Sequence, residues 1–236
     1  MTKQKAVAIV SGGLDSVTLA HHLADLDFDL HLLSIDYGQR HLKEIHFALL
    51  CAERLGAKHD VVDLSSITAL IGSSSLTGNL EVPDGHYAEQ TMKATVVPNR
   101  NMMMLSIAVS VAISEGAQFA VTGVHGGDHF IYPDCRPEFI SAASAAALIG
   151  NVGFGEDFRG ILAPFVYKDK AWIAAEAARL GVPIEETWSC YKGGSIHCGR
   201  CGTCVERLEA IDIAGVEDPT QYEDREFWKE KVEEHG

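Results

Sequence analysis

The sequence predicts an α/β protein built on a doubly wound, Rossmann-like parallel sheet, with a small zinc-binding region at its C-terminal end. Three observations carry this. Short apolar runs alternate with segments of helical periodicity from Val7 onward, a βαβαβ pattern that requires right-handed crossovers and helices on both faces. The first run empties into a glycine turn that opens a helix. Four of the six cysteines crowd between Cys190 and Cys204.

Val7-Ala8-Ile9-Val10 reads as the first strand. Ser11-Gly12-Gly13-Leu14-Asp15-Ser16 leads from it into a helix with Val17, Leu19, Ala20 and Leu23 on its apolar face. A strand, a glycine turn and a helix N-terminus in succession make an anion site. Glycines let the backbone fold closely round a phosphate, and the amide N–H groups and the helix dipole point at it. Two hydroxyls and the Asp15 carboxylate bracket the turn. It is not a Walker A loop, because no Gly-Lys-Ser/Thr follows.

Leu30 to Ile35 is the second strand, closing on Asp36-Tyr37-Gly38-Gln39-Arg40-His41. A helix with Ile45, Ala48, Leu49, Ala52 and Leu55 on one face then stops at Gly56, and His59 to Leu64 is the third strand. Asp15 and Asp36 both fall at carboxyl ends of strands, where open parallel sheets bind ligands. From Ser65 to Thr95 turn formers dominate, and so long a loop reads as a lid or an oligomer contact. Order returns at Pro98-Asn99-Arg100-Asn101, ahead of an apolar helix from Met102 to Glu115. Arg100 and Asn101 stand where a guanidinium and an amide can both meet phosphate.

Phe119 to Val124 is the fourth strand, followed by His125-Gly126-Gly127-Asp128-His129 and Tyr132-Pro133-Asp134-Cys135-Arg136. That run is too dense in ionisable groups for plain surface. Pro137 opens a helix to Ile149. Gly160 to Phe165 is the fifth strand, and Asp169 caps a helix ending at Gly181, with Lys168 and Lys170 on the ligand side. The acidic tail reads as a peripheral helix.

With 47% hydrophobic residues in 236, the chain can bury one full α/β core. Residues 1–185 read as that domain, and 186–236 as the metal-binding region with its helical tail. No signal-peptide core is visible, and no run approaches the roughly 20 apolar residues of a membrane span. A cytoplasmic protein without membrane contact is expected. A formal net charge of −14 disfavours nucleic acid and favours a small-molecule substrate. Lys192, Arg200 and Arg207 form the basic cluster that would oppose this reading.

Cys198-x2-Cys201-x2-Cys204, with Cys190 upstream, supplies four thiolates, the ligand set of a closed structural Zn2+ site. Ferredoxin-type clusters place a further cysteine and a proline where this chain has Val205-Glu206-Arg207. A redox dithiol leaves two thiols unexplained.

The hexapeptide Ser11 to Ser16 resembles the pyrophosphate loop of the N-type ATP pyrophosphatases. With Asp36-Tyr37-Gly38-Gln39-Arg40-His41, Pro98-Asn99-Arg100-Asn101, Tyr132-Pro133-Asp134-Cys135-Arg136 and Thr187-Trp188-Ser189-Cys190-Tyr191, it makes the chain similar over nearly its whole length to the QueC family. These are the 7-cyano-7-deazaguanine synthases of queuosine-type deazaguanine biosynthesis. The resemblance implies an adenine nucleotide alpha hydrolase-like fold and an ATP-dependent carbon–nitrogen ligase. The implied reaction turns 7-carboxy-7-deazaguanine and ammonia into the nitrile by way of an acyl adenylate and an amide. ATP, Mg2+ and Zn2+ are the implied cofactors and a homodimer the implied assembly.

The same resemblance implies site residues. Asp15, Arg100 and Lys170 would be catalytic. Ser11, Gly12, Gly13, Leu14, Asp15, Ser16, Asp36 and Gly123 would bind the nucleotide and its Mg2+. Tyr132, Asp134 and Arg136 would bind the deazaguanine, Asp134 at its amidine edge and Arg136 at its carboxylate. Cys190, Cys198, Cys201 and Cys204 would hold the zinc.

Two stretches depart from the family pattern. Asn99 stands where the family has glycine. Residues 123–131 read Gly-Val-His-Gly-Gly-Asp-His-Phe-Ile where the family has Gly-Val-Cys-Glu-Thr-Asp-Phe-Ser-Gly. Glycines opening the site there, with His129 as a proton carrier, would admit a larger amine or release the amide early. The alternatives are therefore a member that stops at the amide or joins another amine, and a tRNA sulfur transferase, which shares the phosphate loop. A non-catalytic nucleotide-binding module ranks last, since it makes no use of Asp134, Arg136 and Lys170.

Overall fold

A computed structural model describes residues 3–38, 43–68, 70, 82–86, 96–127 and 132–235. Gln39, Arg40, His41, Asp128, His129, Phe130 and Ile131 lie outside the described residues. One sheet holds five parallel strands: β1 (Lys5–Ile9), β2 (Asp29–Asp36), β3 (Lys58–Asp63), β4 (Phe119–Val121) and β5 (Gly160–Leu162). Their order is β3-β2-β1-β4-β5. β1 is central, with Ala8 opposite Leu32 on one side and Val121 on the other. It is apolar throughout its buried length because helices cover both its faces. The order reverses at β1, so the crevice beyond its carboxyl end is the switch point where such sheets take ligands.

The helices are α1 (Leu14–Asp25), α2 (Lys43–Leu55), α3 (Ser65–Thr68), α4 (Arg100–Ser114), α5 (Pro137–Gly150), α6 (Lys170–Leu180), α7 (Gly202–Ile213) and α8 (Phe227–His235). α1, α2 and α6 pack on one face through Leu14, Leu19, Ala48 and Ile173 against Ala8 and Leu32. α4 and α5 cover the other through Leu105, Ala108 and Ile140 against Val7 and Leu33. Among the described residues no helix is long and apolar enough to cross a membrane.

β4 and β5 end sooner than the apolar runs suggest. Thr122 donates one more bond to Leu162 O (3.0 Å), and then Gly126 N–H turns to Lys168 O (2.7 Å). Past β4, Val124 lines the cavity, and past β5, Phe165 turns into the core under α1 and α6. The 65–95 stretch divides. Ser65–Thr68 is helical, and residues 82–86 lie on the cysteine region, where Gly85 N–H bonds Arg200 O and Val82 packs beside Trp188. Residues 69, 71–81 and 87–95 lie outside the described residues.

α7 starts among the cysteines, with Cys201 as its N-cap and Cys204 in its first turn, and it is an element the sequence pattern does not reveal. Its Ile211 joins the core beneath α1 and α6, and Trp228 of α8 closes over Val205 and Leu208. Arg207 is fully buried, with its guanidinium on Thr187 Oγ1 (2.7 Å), Ile184 O (2.8 Å), Thr220 Oγ1 (2.8 Å) and Tyr222 Oη (2.9 Å). Lys192 pairs with Asp84, and Arg200 with Asp224 at 3.2 Å. The expected basic cluster is therefore not a free cationic face. One member is an internal tie, and the other two face carboxylates.

Glu176 fastens α6 to α1. Its carboxylate meets Arg179 Nε at 2.7 Å and His22 Nδ1 at 2.7 Å. The Arg179 bond first, and His22 after it, hold this carboxyl down at about 2. A depressed folded-state value means the pairing stabilises fully above the unfolded value of about 4.3 and fades as pH falls toward 2. Glu176→Gln should thus lower the melting temperature at pH 6, and the gap to wild type should shrink as pH drops below about 4.3. Melting curves of both proteins between pH 3.5 and about 7 check this; a gap independent of pH would oppose it.

Candidate active site and metal centre

The glycine turn sits at the carboxyl end of β1, with Gly13 as the N-cap of α1. Ser16 Oγ accepts the N–H groups of Ser11 and Gly12 (3.2 Å each), and Ser11 Oγ accepts that of Gly13 (3.4 Å). Three consecutive amides thus converge on two hydroxyls at a helix N-terminus, positions that phosphate oxygens take over on binding. Gly12 has φ +92°, and a Cβ there would lie 1.9 Å from Glu44 O, so no other residue fits. Its own carbonyl accepts Trp188 N–H at 2.9 Å, which ties the turn to the segment before the cysteines.

Asp15 Oδ2 is paired with Lys170 Nζ at 2.5 Å, and His125 Nε2 stands 3.7 Å away. Lys170 also reaches Glu206 of α7 at 3.3 Å. Burial pushes the Asp15 carboxyl up, yet Lys170 and His125 outweigh it and hold it below the usual carboxylate range. Among the described residues no partner reaches the buried Asp15 Oδ1. A buried acceptor left unsatisfied is costly, and an ionised carboxylate oxygen at a phosphate turn suits a divalent cation.

Ser11, Gly13, Leu14, Asp15, Ser16, Arg100, Gly123, Tyr132 and Lys170 all line one cavity. Arg100 opens α4 between the rings of Tyr37 (5.7 Å) and Tyr132 (5.8 Å). At Gly123 a Cβ would only touch Leu19, Asp15 and Ser16 at 3.6–3.7 Å, toward α1. Asp36 ends β2 and accepts Gly38 N–H (2.9 Å), outside the cavity lining. Asp134 lies beside the wall, its Oδ2 accepting Asn101 N–H at 3.3 Å, and Arg136 is exposed at the start of α5. The cavity also takes Glu44, Trp188, Tyr191, Thr203 and Glu206, which sequence reasoning gave no role. Trp188 and Tyr191 belong to the Thr187-Trp188-Ser189-Cys190-Tyr191 run. Glu206, two residues beyond Cys204, looks in sequence like a solvent-facing helix residue.

The departures at Asn99, Gly126 and Gly127 have a geometric reason; residues 128–131 lie outside the described residues. Asn99 has φ +58°, the left-handed conformation in which asparagine is the best substitute for glycine. At Gly126 a Cβ would press to 2.9 Å on Lys168 O, and at Gly127 to 3.1 Å on the His125 ring. His125 Nδ1 accepts Gly127 N–H at 3.2 Å. These glycines permit close backbone packing, and the space they leave is filled. The expectation of a site opened for a larger amine is corrected accordingly.

Cys190, Cys198, Cys201 and Cys204 are all buried, with ligand atoms within 4.8 Å of one another. Cys198 and Cys204 Sγ are 3.9 Å apart, close to the edge of about 3.8 Å that a tetrahedron of 2.3 Å Zn–S bonds requires. Backbone N–H groups of Arg200 (3.4 Å) and Cys201 (3.3 Å) point at Cys198 Sγ, and that of Cys198 at Cys190 Sγ (3.4 Å). Such donors stabilise thiolate charge. The donor set fits one tetrahedral ion, whereas a multi-iron cluster spreads its thiolates wider. Cys190→Ala should therefore destabilise the chain and cut its metal content more than it alters substrate affinity. Melting temperature, metal analysis and a substrate titration check this, and unchanged melting would oppose it.

Sequence comparison settles the family. Residues 5–215 match the profile of the family described as Queuosine biosynthesis protein QueC. The chain belongs to the QueC family. It is 54% identical over 232 residues to a 7-cyano-7-deazaguanine synthase of Rhizobium etli, covering 98% of each chain. With a 7-cyano-7-deazaguanine synthase of Rhizobium meliloti it shares 56% over 224 residues, 95% of this chain and 94% of that one. A solved structure of NMN synthetase from Francisella tularensis superposes on 98% of this QueC-family chain and 86% of its own, with TM-score 0.51 and 13% identity. That likeness concerns the fold, an adenine nucleotide alpha hydrolase-like sheet.

Proposed function

We propose that this chain is an ATP-dependent carbon–nitrogen ligase that makes 7-cyano-7-deazaguanine from 7-carboxy-7-deazaguanine, ammonia and ATP. Family membership gives the activity its class. The observation that supports this chain's own competence is the phosphate turn with the unpartnered Asp15 oxygen at the switch point of the sheet.

A carboxylate is a poor acyl donor, because its leaving group would be oxide. Attack on the α-phosphate of ATP gives an acyl adenylate and releases pyrophosphate. Ammonia displaces AMP to give the amide, and a second adenylation on the amide oxygen leads to the nitrile. The amides of Ser11, Gly12 and Gly13 hold the departing pyrophosphate, and Lys170 and Arg100 neutralise its charge. Positioning and charge neutralisation are the protein's main contribution. Asp15 and the serine hydroxyls would hold Mg2+, which supplies further neutralisation of the leaving group. The four thiols would hold Zn2+, which ties the C-terminal region and takes no part in the chemistry. Tyr132, Asp134 and Arg136 are assigned to the deazaguanine, residues 1–185 to the catalytic domain and 186–236 to the metal-binding region. A cytoplasmic homodimer completes the reading.

Incubation with 7-carboxy-7-deazaguanine, ammonium and excess ATP, followed by mass spectrometry over time, tests it. The expected record is amide rising and then converting to nitrile, with two AMP formed per nitrile. Amide accumulating with one AMP and no conversion would overturn the nitrile product. Light scattering or sedimentation reads the assembly.

A further inference from the structure

Glu44 enters the cavity from the first turn of α2. Its backbone carbonyl abuts Gly12, which places the side chain beside the phosphate turn. The groups that face it come from three other segments: Arg100 at the start of α4, Tyr37 after β2 and Tyr191 after the first cysteine. Among the described residues no hydrogen bond or salt bridge ties up its carboxylate. The other carboxylates of the cavity are engaged, Asp15 and Glu206 both with Lys170. Burial raises the Glu44 carboxyl to about 7, against the opposing charge of Arg100. A general base is most effective when it titrates near the working pH.

We propose that Glu44 is the proton acceptor for the nitrogen chemistry of this site. The assignment rests on the ligase reading above. In amide formation the nitrogen lone pair of ammonia forms the new C–N bond. The C–O bond to AMP breaks with its electron pair, and Glu44 takes the proton the nitrogen sheds. In nitrile formation the amide oxygen attacks the α-phosphate of a second ATP and pyrophosphate leaves with its bonding pair. The nitrogen of the resulting imidate then gives up two protons in turn. The first N–H pair restores the neutral imine; the second becomes the last C–N bond as AMP departs with the C–O pair. Glu44 accepts each proton and passes it to water at the cavity mouth before the next arrives.

The test separates adenylation from nitrogen transfer. Glu44→Gln should keep substrate-dependent ATP–pyrophosphate exchange within about threefold of wild type while ammonia-dependent turnover falls on the order of 10²-fold or more. With hydroxylamine as donor, whose own nitrogen is unprotonated near neutrality, wild type should show an acid limb in kcat/KM that Glu44→Gln lacks. Glu44→Asp keeps the charge and withdraws it by one methylene; it should show the same split with a smaller loss and retain the limb. Exchange and turnover falling together would make Glu44 part of the nucleotide site and overturn the proposal, as would an acid limb that survives in Glu44→Gln. Wild type failing to form nitrile under the same conditions would instead reject the ligase reading.

Discussion

Asp15→Ala should lower substrate-dependent pyrophosphate release on the order of 10³-fold while leaving binding of 7-carboxy-7-deazaguanine largely unchanged. One oxygen of this carboxylate holds Lys170, and the other is buried with no partner among the described residues, which is where a divalent cation would complete the site. Without the carboxylate a divalent cation would keep only the serine hydroxyls, and the charge of the departing pyrophosphate would be less well neutralised. Lys170 does not become an isolated buried cation, because Glu206 stays 3.3 Å away. The loss should therefore appear in the chemical step, with a modest fall in melting temperature. Asp15→Asn preserves the volume and removes the charge, so the two variants should behave alike. Release of pyrophosphate at the wild-type rate in either one would remove the cation reading of this residue. The measurement is a coupled pyrophosphate assay beside a calorimetric titration of the deazaguanine acid.

Gly12→Ala should give a protein without measurable adenylation, melting roughly 10 °C or more below wild type. Its Cβ would stand 1.9 Å from Glu44 O, 2.8 Å from Glu44 C and 3.0 Å from Ala48 N, all backbone atoms that no rotamer change can move. The φ of +92° adds the cost of a conformation that L-residues avoid. Each effect is worth about 1–3 kcal/mol. Relief requires α2 to shift outward, and Glu44 leaves the cavity with it. Gly13→Ala is the control. Gly13 has φ −75°, and its Cβ would meet Trp188 O at an ordinary 3.4 Å. That variant should fold near the wild-type temperature. Equal melting of Gly12→Ala and wild type, by differential scanning fluorimetry, would show that the turn is looser than described.

Local chemistry made much of this protein legible in its sequence. Val7 to Val10 followed by Ser-Gly-Gly could be read as strand, phosphate turn and helix start because each residue's preference is set by its own backbone and near neighbours. The same holds for Asp169 as a helix cap, which accepts Trp172 N–H at 2.7 Å, and for Gly181 at φ +67°, which ends α6. The spacing of Cys198, Cys201 and Cys204 sufficed for the ligand class, since three thiols two residues apart can converge on one ion. The alternation of elements required a parallel sheet and pointed to its carboxyl end as the ligand side.

What the tertiary structure decided concerns polar residues whose environment is made by distant chain. Arg207 looked like surface charge, yet acceptors from Ile184, Thr187, Thr220 and Tyr222 surround it in the interior. Glu206, its neighbour on α7, is brought to Lys170 only because the cysteine region folds back over the sheet. Glu44 stands four residues before Ala48 on the inward face of α2, and only the close approach of α2 to Gly12 makes that position part of the cavity. The glycines at 126 and 127 suggested an opening until Lys168 O and the His125 ring were seen to occupy the space. Periodicity reports which face of an element is apolar. It carries no record of which charges will meet across more than a hundred residues of chain, and those meetings form the site.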